Sequence, residues 1–194
     1  MAKRKLIAVG ASTGGTEALL TFLAGFSMKS PPILVVQHMP QAYTGPFADR
    51  LNDLCEMTVK EARSGDVPRA GLVLLAPGDH HMQLVNKSGR FEVKLSDAEP
   101  VSRHKPSVDV LFRSVAEAAG PRSIGVILTG MGADGAKGLK VMREAGARTF
   151  GQDAQSCVVY GMPKAAMERG AVQTEASLTK LPGLVRDSYL TLDA

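Results

Sequence analysis

Serine, histidine and aspartate each stand at the end of an apolar run in this chain, and together they are the three parts of a nucleophilic hydrolase. Residues 6–11 run into Ser12, residues 33–37 into His38, and residues 124–129 into a glycine-rich loop that carries Asp134. A serine hydroxyl needs an adjacent base to become a nucleophile, and a neutral imidazole can serve. If the three runs are neighbouring parallel strands, their ends share one sheet edge, where open α/β folds place their sites. The order Ser, His, Asp differs from that of the chymotrypsin, subtilisin and α/β-hydrolase triads, but such sites are defined by geometry and not by chain order.

Each of the three has a plainer reading. In Gly10-Ala11-Ser12-Thr13-Gly14-Gly15 the serine could be the nucleophile of a strand-to-helix elbow, part of a nucleotide loop, or a helix cap. The dinucleotide pattern is broken because Ser12 takes its middle glycine position, and the second strand ends in Gln37-His38 rather than in an acid for a ribose. His38, at the end of an apolar strand, needs a polar partner or solvent whether or not it is a base. Asp134, inside Thr129-Gly130-Met131-Gly132-Ala133-Asp134-Gly135, could cap the helix that follows or orient His38, and its two oxygens allow both. A metal would need more carboxylates or histidines than the single further candidate, Asp153, so no metal and no cofactor are expected. His80 and His81 read as loop residues after a Pro-Gly-Asp turn, and His104 as part of a solvated basic loop, Arg103-His104-Lys105. Cys55 and Cys157 read as packing residues and the nine methionines as core filler.

The elements that must position these groups follow a β/α rhythm. A strand at 6–11 leads to a helix opening at Gly14-Gly15, and a strand at 33–38 leads to a helix over 44–54. Short strands follow at 58–61 and 72–76, then a hairpin of 82–85 with 91–95 around Asn86-Lys87-Ser88-Gly89. A helix over 107–119, a strand at 124–129, a helix over 136–145, a strand at 148–152 and helices near 161–169 and 181–190 complete the pattern. The expected fold is α/β: a doubly wound, mostly parallel sheet flanked by helices, with a short β-hairpin region near 72–95.

Composition narrows the function classes. A chain of 194 residues with 44% hydrophobic content fits one domain, 1–194, without an internal repeat or linker. The two distant cysteines imply reduced thiols and a cytoplasmic protein, and no apolar stretch is long enough to span a membrane. A net charge of +4 favours acidic partners, but scattered cations and 5% aromatic content argue against nucleic acid.

Three motifs in order, GASTGG from Gly10, QHMP from Gln37 and LTGMGADGAKG from Leu128, resemble the catalytic domain of the CheB chemotaxis protein-glutamate methylesterases. The resemblance runs from Lys5 to Leu190 and includes Ala76-Pro77-Gly78 with His81-Met82, Pro106-Ser107-Val108-Asp109 and Gly161-Met162-Pro163. It implies a mostly parallel α/β domain in which Ser12 is the nucleophile, His38 the base and Asp134 its orienting carboxylate. It also implies a backbone oxyanion donor at Met131, with Thr13 close enough in sequence to position His38 or the oxyanion. The implied reaction is hydrolysis of glutamate γ-methyl esters on the cytoplasmic helices of chemoreceptors, with deamidation of certain glutamines as a weaker activity. The resemblance puts His81 near the rim of the site. The family's receiver domain has no counterpart in the sequence, so no phosphorylation control is expected. A nucleotide-binding α/β protein and a non-catalytic interaction module are the alternatives from other classes.

Overall fold

The computed structural model describes residues 5–192. In chain order the elements are β1 (Leu6–Ala11), α1 (Gly15–Leu23), β2 (Ile33–Gln37), α2 (Gln41–Leu54), β3 (Thr58–Glu61) and β4 (Leu72–Leu75). They continue with β5 (His81–Lys87), β6 (Arg90–Ser96), α3 (Val108–Ala119), β7 (Ser123–Ile127) and α4 (Ala136–Glu144). β8 (Arg148–Gln152), α5 (Met162–Glu168), β9 (Thr174–Ala176) and α6 (Leu181–Leu190) follow.

Seven strands form one parallel sheet in the order β3-β4-β2-β1-β7-β8-β9, and β5 pairs with β6 as a separate antiparallel hairpin. Both faces of the sheet are covered, which is why β1, β2, β4 and β7 are buried at every position and read as unbroken apolar runs. Leu6 and Ala8 of β1 point into a core shared with α3, α4, α5 and the hairpin, whereas Ile7, Val9 and Ala11 point into a second core with α1, α2 and α6. From β1 the chain passes to β2, then to the edge strand β3, then back to β4 between them, and returns to the other side of β1 with β7. The topological switch point therefore lies between β1 and β7, and a crevice opens there at the carboxyl ends of the strands.

The strands expected at 6–11, 58–61 and 148–152 form with those bounds. Others differ for local reasons. The helix expected from 44 begins at Gln41, so Pro46 sits inside it and removes one backbone donor from its second turn. The hairpin is longer than expected, because Ser88 and Gly89 both take positive φ (51° and 86°) and close a two-residue turn, leaving Asn86 and Lys87 in the strand. Residues 72–75 belong to the main parallel sheet and not to the hairpin. β9, only three residues long and partly exposed, escaped the pattern because so short a polar stretch has no periodicity to read.

Phe112 of α3 is fully buried between the sheet and α4, and it packs beside Gly138, where an added Cβ would lie 2.8 Å from the Phe112 Cβ. Phe112→Ala should cost about 3–5 kcal/mol of unfolding free energy by urea titration. The same change at Leu190, which is 77% exposed, should stay within about 0.5 kcal/mol.

Candidate active site

Ser12 and His38 stand on adjacent strand ends. The β1–β2 register places Ala11 opposite Gln37, and the ladder runs one step further as His38 N–H donates to Ala11 O at 3.1 Å. On the other side Ser12 N–H donates to Thr129 O at 3.0 Å, so the three loops leave the sheet at one level. Gln37 fixes the corner: its buried amide donates to the carbonyls of Ser12 (2.9 Å) and His38 (3.2 Å). Ser12 does not cap α1. Gly14, at φ 78°, is the N-cap residue and no side chain bonds to the helix start. Gly130 is required where it is, since a Cβ there would lie 2.3 Å from Met162 Sδ and 2.8 Å from Ser12 Cβ.

Asp134 is buried, and its carboxylate collects donors from three places. Oδ2 lies 2.7 Å from His38 Nε2 and accepts the Val108 N–H at 2.7 Å, while Oδ1 accepts Ser107 Oγ–H (2.7 Å) and the Asp109 N–H (3.1 Å). Asp134 thus caps a helix, but the helix is α3 and not the following α4, whose N-cap residue is Gly135 with no side-chain bond. Asp109, in the first turn of α3, returns the contact by accepting the Gly138 N–H of α4 at 2.6 Å. Burial pushes the Asp134 carboxyl up, but bonds from His38, Ser107, Val108 and Asp109 outweigh it and hold the group below the ordinary carboxylate range. Asp109 is raised, chiefly by burial.

The hydrogen bond to a carboxylate assigns the proton on His38 to Nε2. Nδ1 is left as the lone-pair nitrogen, buried and without a hydrogen-bond partner among the described residues. This reverses the ring seen in chymotrypsin-type sites, where the carboxylate holds Nδ1, and leaves the same chemistry available at the opposite nitrogen. Ser12 Oγ makes no hydrogen bond among the described residues, so the structure joins His38 to Asp134 directly and brings Ser12 beside them only at the level of the strand ends. Resting sites of this kind often tighten that contact when substrate binds.

His104 covers His38. Their rings stack at 3.7 Å between centroids and 6° between planes, which places His104 against the site instead of in a solvated loop. Burial, then the neighbouring His38, lowers its pKa, which favours the neutral ring. His81 is likewise no loop residue: it is buried in β5, accepts the Ser107 N–H at Nδ1 (3.1 Å) and lies 3.0 Å from Glu99 O through Nε2. The backbone N–H groups of Thr13 and Met131 find no acceptor among the described residues, and Met131 is 67% exposed beside the cleft and not core filler. Met28 and Met167 are exposed as well. Cys157 is half-buried, and desolvation pushes its thiol up to about 11. Asp153 holds Ser156 through its backbone and hydroxyl.

Sequence reasoning misses His104, Ser107 and Gln37 as members of this site. Ser107-Val108-Asp109 carries a helix-start signal, which reveals the cap position but not the distant carboxylate that fills it. Nothing in the spacing pairs residue 104 with 38.

A family profile described as CheB methylesterase matches residues 7–185. The chain belongs to the CheB methylesterase family. It is 55% identical over 178 residues to "Protein-glutamate methylesterase/protein-glutamine glutaminase 1" of Geobacter metallireducens, covering 92% of this chain and 49% of that one. To the protein of the same activity name numbered 2 from Hahella chejuensis it is 52% identical over 190 residues, covering 98% and 52%. The chain therefore spans about half the length of the curated relatives it matches. The crystal structure of the Thermotoga maritima CheB methylesterase catalytic domain superposes with a TM-score of 0.93 at 36% identity, covering 95% of this chain and 98% of that one. The CheB methylesterase catalytic domain thus supplies the fold.

The Asp134 carboxyl, held low in the folded chain, contributes stability that is present above the ordinary carboxyl range and is lost as pH falls through its depressed folded value. The unfolding free energy of the native chain should therefore exceed that of Asp134→Asn by a constant amount above about pH 5. The gap should shrink below pH 3.8, as followed by chemical denaturation across pH. A gap that is level from pH 7 to pH 2 would contradict the carboxylate's ionised, multiply bonded state.

Proposed function

We propose that this chain is a serine esterase that hydrolyses glutamate γ-methyl esters on the cytoplasmic helices of chemoreceptors, releasing methanol, and that it deamidates receptor glutamines by the same route. The reading rests on one observation: His38 is held by Asp134 at Nε2, 2.7 Å away, and its Nδ1, at the strand end next to Ser12, has no partner among the described residues. A buried imidazole fixed in one tautomer at the strand end beside a serine is what an acyl-transfer nucleophile requires. The names of the relatives, which pair the two activities, support the same reaction.

In the proposed mechanism Ser12 Oγ attacks the ester carbonyl carbon while its proton passes to His38 Nδ1. The carbonyl oxygen becomes an oxyanion, and in this reading the N–H groups of Met131 and Thr13, which have no acceptor among the described residues, donate to it. Collapse of the tetrahedral species breaks the C–O bond to the methoxy group, which leaves as methanol with the proton from His38. Water then attacks the acyl-serine with His38 again as base, restoring Ser12 and releasing a γ-carboxylate. For a glutamine the leaving group is ammonia, a poorer one, and the rate is lower. Asp134 bears no proton in this cycle; it fixes the ring and stabilises the imidazolium. A cytoplasmic location follows from the substrate.

Methanol release from methylated receptor membranes tests the assignment. Ser12→Ala or His38→Ala should lower turnover by up to about a millionfold with circular dichroism unchanged, since nucleophile and base act as a unit. Asp134→Asn should cost less, on the order of ten-thousandfold. Turnover in Ser12→Ala within tenfold of the native chain, a bound well inside the expected loss, would sink the nucleophile assignment.

A further inference from the structure

The cleft in front of Ser12, about 490 Å³ in volume, is lined by Arg103, Lys137 and Arg169. None of the three has an ion-pair partner among the described residues, whereas the neighbouring Lys105 is paired with Asp97 and Lys164 with Glu168. The carboxylates in the same cleft do not answer them. Asp109 and Asp134 are both 1% exposed and are turned onto the backbone donors of α3 and α4. Three cations therefore line the cleft that holds Ser12 without a direct ion-pair partner among the described residues.

One of the three is held there at a conformational cost. Ser102 and Arg103 take φ of 54° and 66°, the left-handed region that residues with side chains avoid. Reciprocal backbone bonds between Val101 and His104, 3.0 and 2.9 Å, lock the turn, and Ser102 Oγ anchors it on Asp109 at 3.3 Å. A strained turn at the mouth of a site, fixed at both ends, marks a functional position. Its next residue is the His104 that stacks on His38, so the placement of Arg103 is tied rigidly to the catalytic base.

We infer that Arg103, Lys137 and Arg169 form a recognition surface for carboxylates that flank the reacting side chain on an acidic helical segment. This inference rests on the proposed esterase reading, and it names what selects the substrate. Side chains three and four positions away on a helix lie about 5–6 Å from the ester-bearing one, so neighbouring glutamates would enter the same cleft. Complementary charge of this kind acts on encounter and register more than on the chemical step.

The test uses the full chain and three labelled helical peptides that carry one γ-methyl glutamate flanked by Glu, Gln or Lys. Binding is read by fluorescence anisotropy with Ser12→Ala, and hydrolysis by methanol release with the native serine. The Glu-flanked peptide should bind about tenfold more tightly than the Gln-flanked one at low salt, with the advantage gone near 1 M salt. The combined substitution Arg103→Glu, Lys137→Glu and Arg169→Glu should invert the ranking, so that the Lys-flanked peptide becomes the best. The charge-reversed protein is scored only with a circular dichroism spectrum matching that of the native chain, so an unchanged ranking reports on charge and not on folding. An unchanged ranking in the charge-reversed protein, or equal binding of all three peptides by the native one, overturns the inference. Absent methanol release with the acid preference intact in binding would overturn the esterase reading and leave the recognition surface standing.

Discussion

A single buried carboxylate holds the site and the fold together. Asp134 has no access to water, and an ionised carboxylate in that position is tolerable only if protein donors replace its hydration shell. Four do: a ring N–H from the end of β2, a hydroxyl just before α3 and two backbone N–H groups of the first turn of α3. The positive end of a helix adds its own field to the same oxygens. The requirement to satisfy one charge thus locks the β7–α4 loop, the start of α3 and the His38 ring into one arrangement.

The reciprocal contact makes that arrangement stiffer. Asp134 precedes α4 but caps α3, and Asp109 belongs to α3 but receives a donor from the first turn of α4. Two adjacent helix starts are therefore tied by exchanged side chains, at the switch point where the sheet topology opens a crevice. An imidazole whose carboxylate partner is embedded in two helix termini cannot drift without uncovering buried donors. His104 adds a cover of a different kind, a flat ring stacked on the face of His38.

The parallel sheet and the strand-end positions of Ser12, His38 and Asp134 were legible because they follow from periodicity. Apolar runs that end on Ser12 and His38 read as buried parallel strands, and the glycines around Asp134 announce a backbone that must bend sharply. What the sequence hid was mutual contact. That Asp134 serves the distant α3 rather than its own helix depends on how two helices pack, and no local propensity encodes it. His104 and His81 looked like loop residues for the same reason: their partners lie 66 and 26 residues away, in His38 and Ser107.

The separation of His38 from Asp134 by 96 residues has a consequence for the life of the chain before it is finished. At ribosomal speeds of roughly 5–20 residues per second, the segment bearing Ser12 and His38 leaves synthesis about 5–20 s ahead of Asp134. During that interval β1 has only one of its two sheet neighbours, and the imidazole has no carboxylate to fix its tautomer. The nascent chain therefore carries a serine and a histidine but no carboxylate to orient the ring. That hydrogen bond forms only on the arrival of β7 and its loop, so a product that stops before Asp134 holds the imidazole in no fixed tautomer.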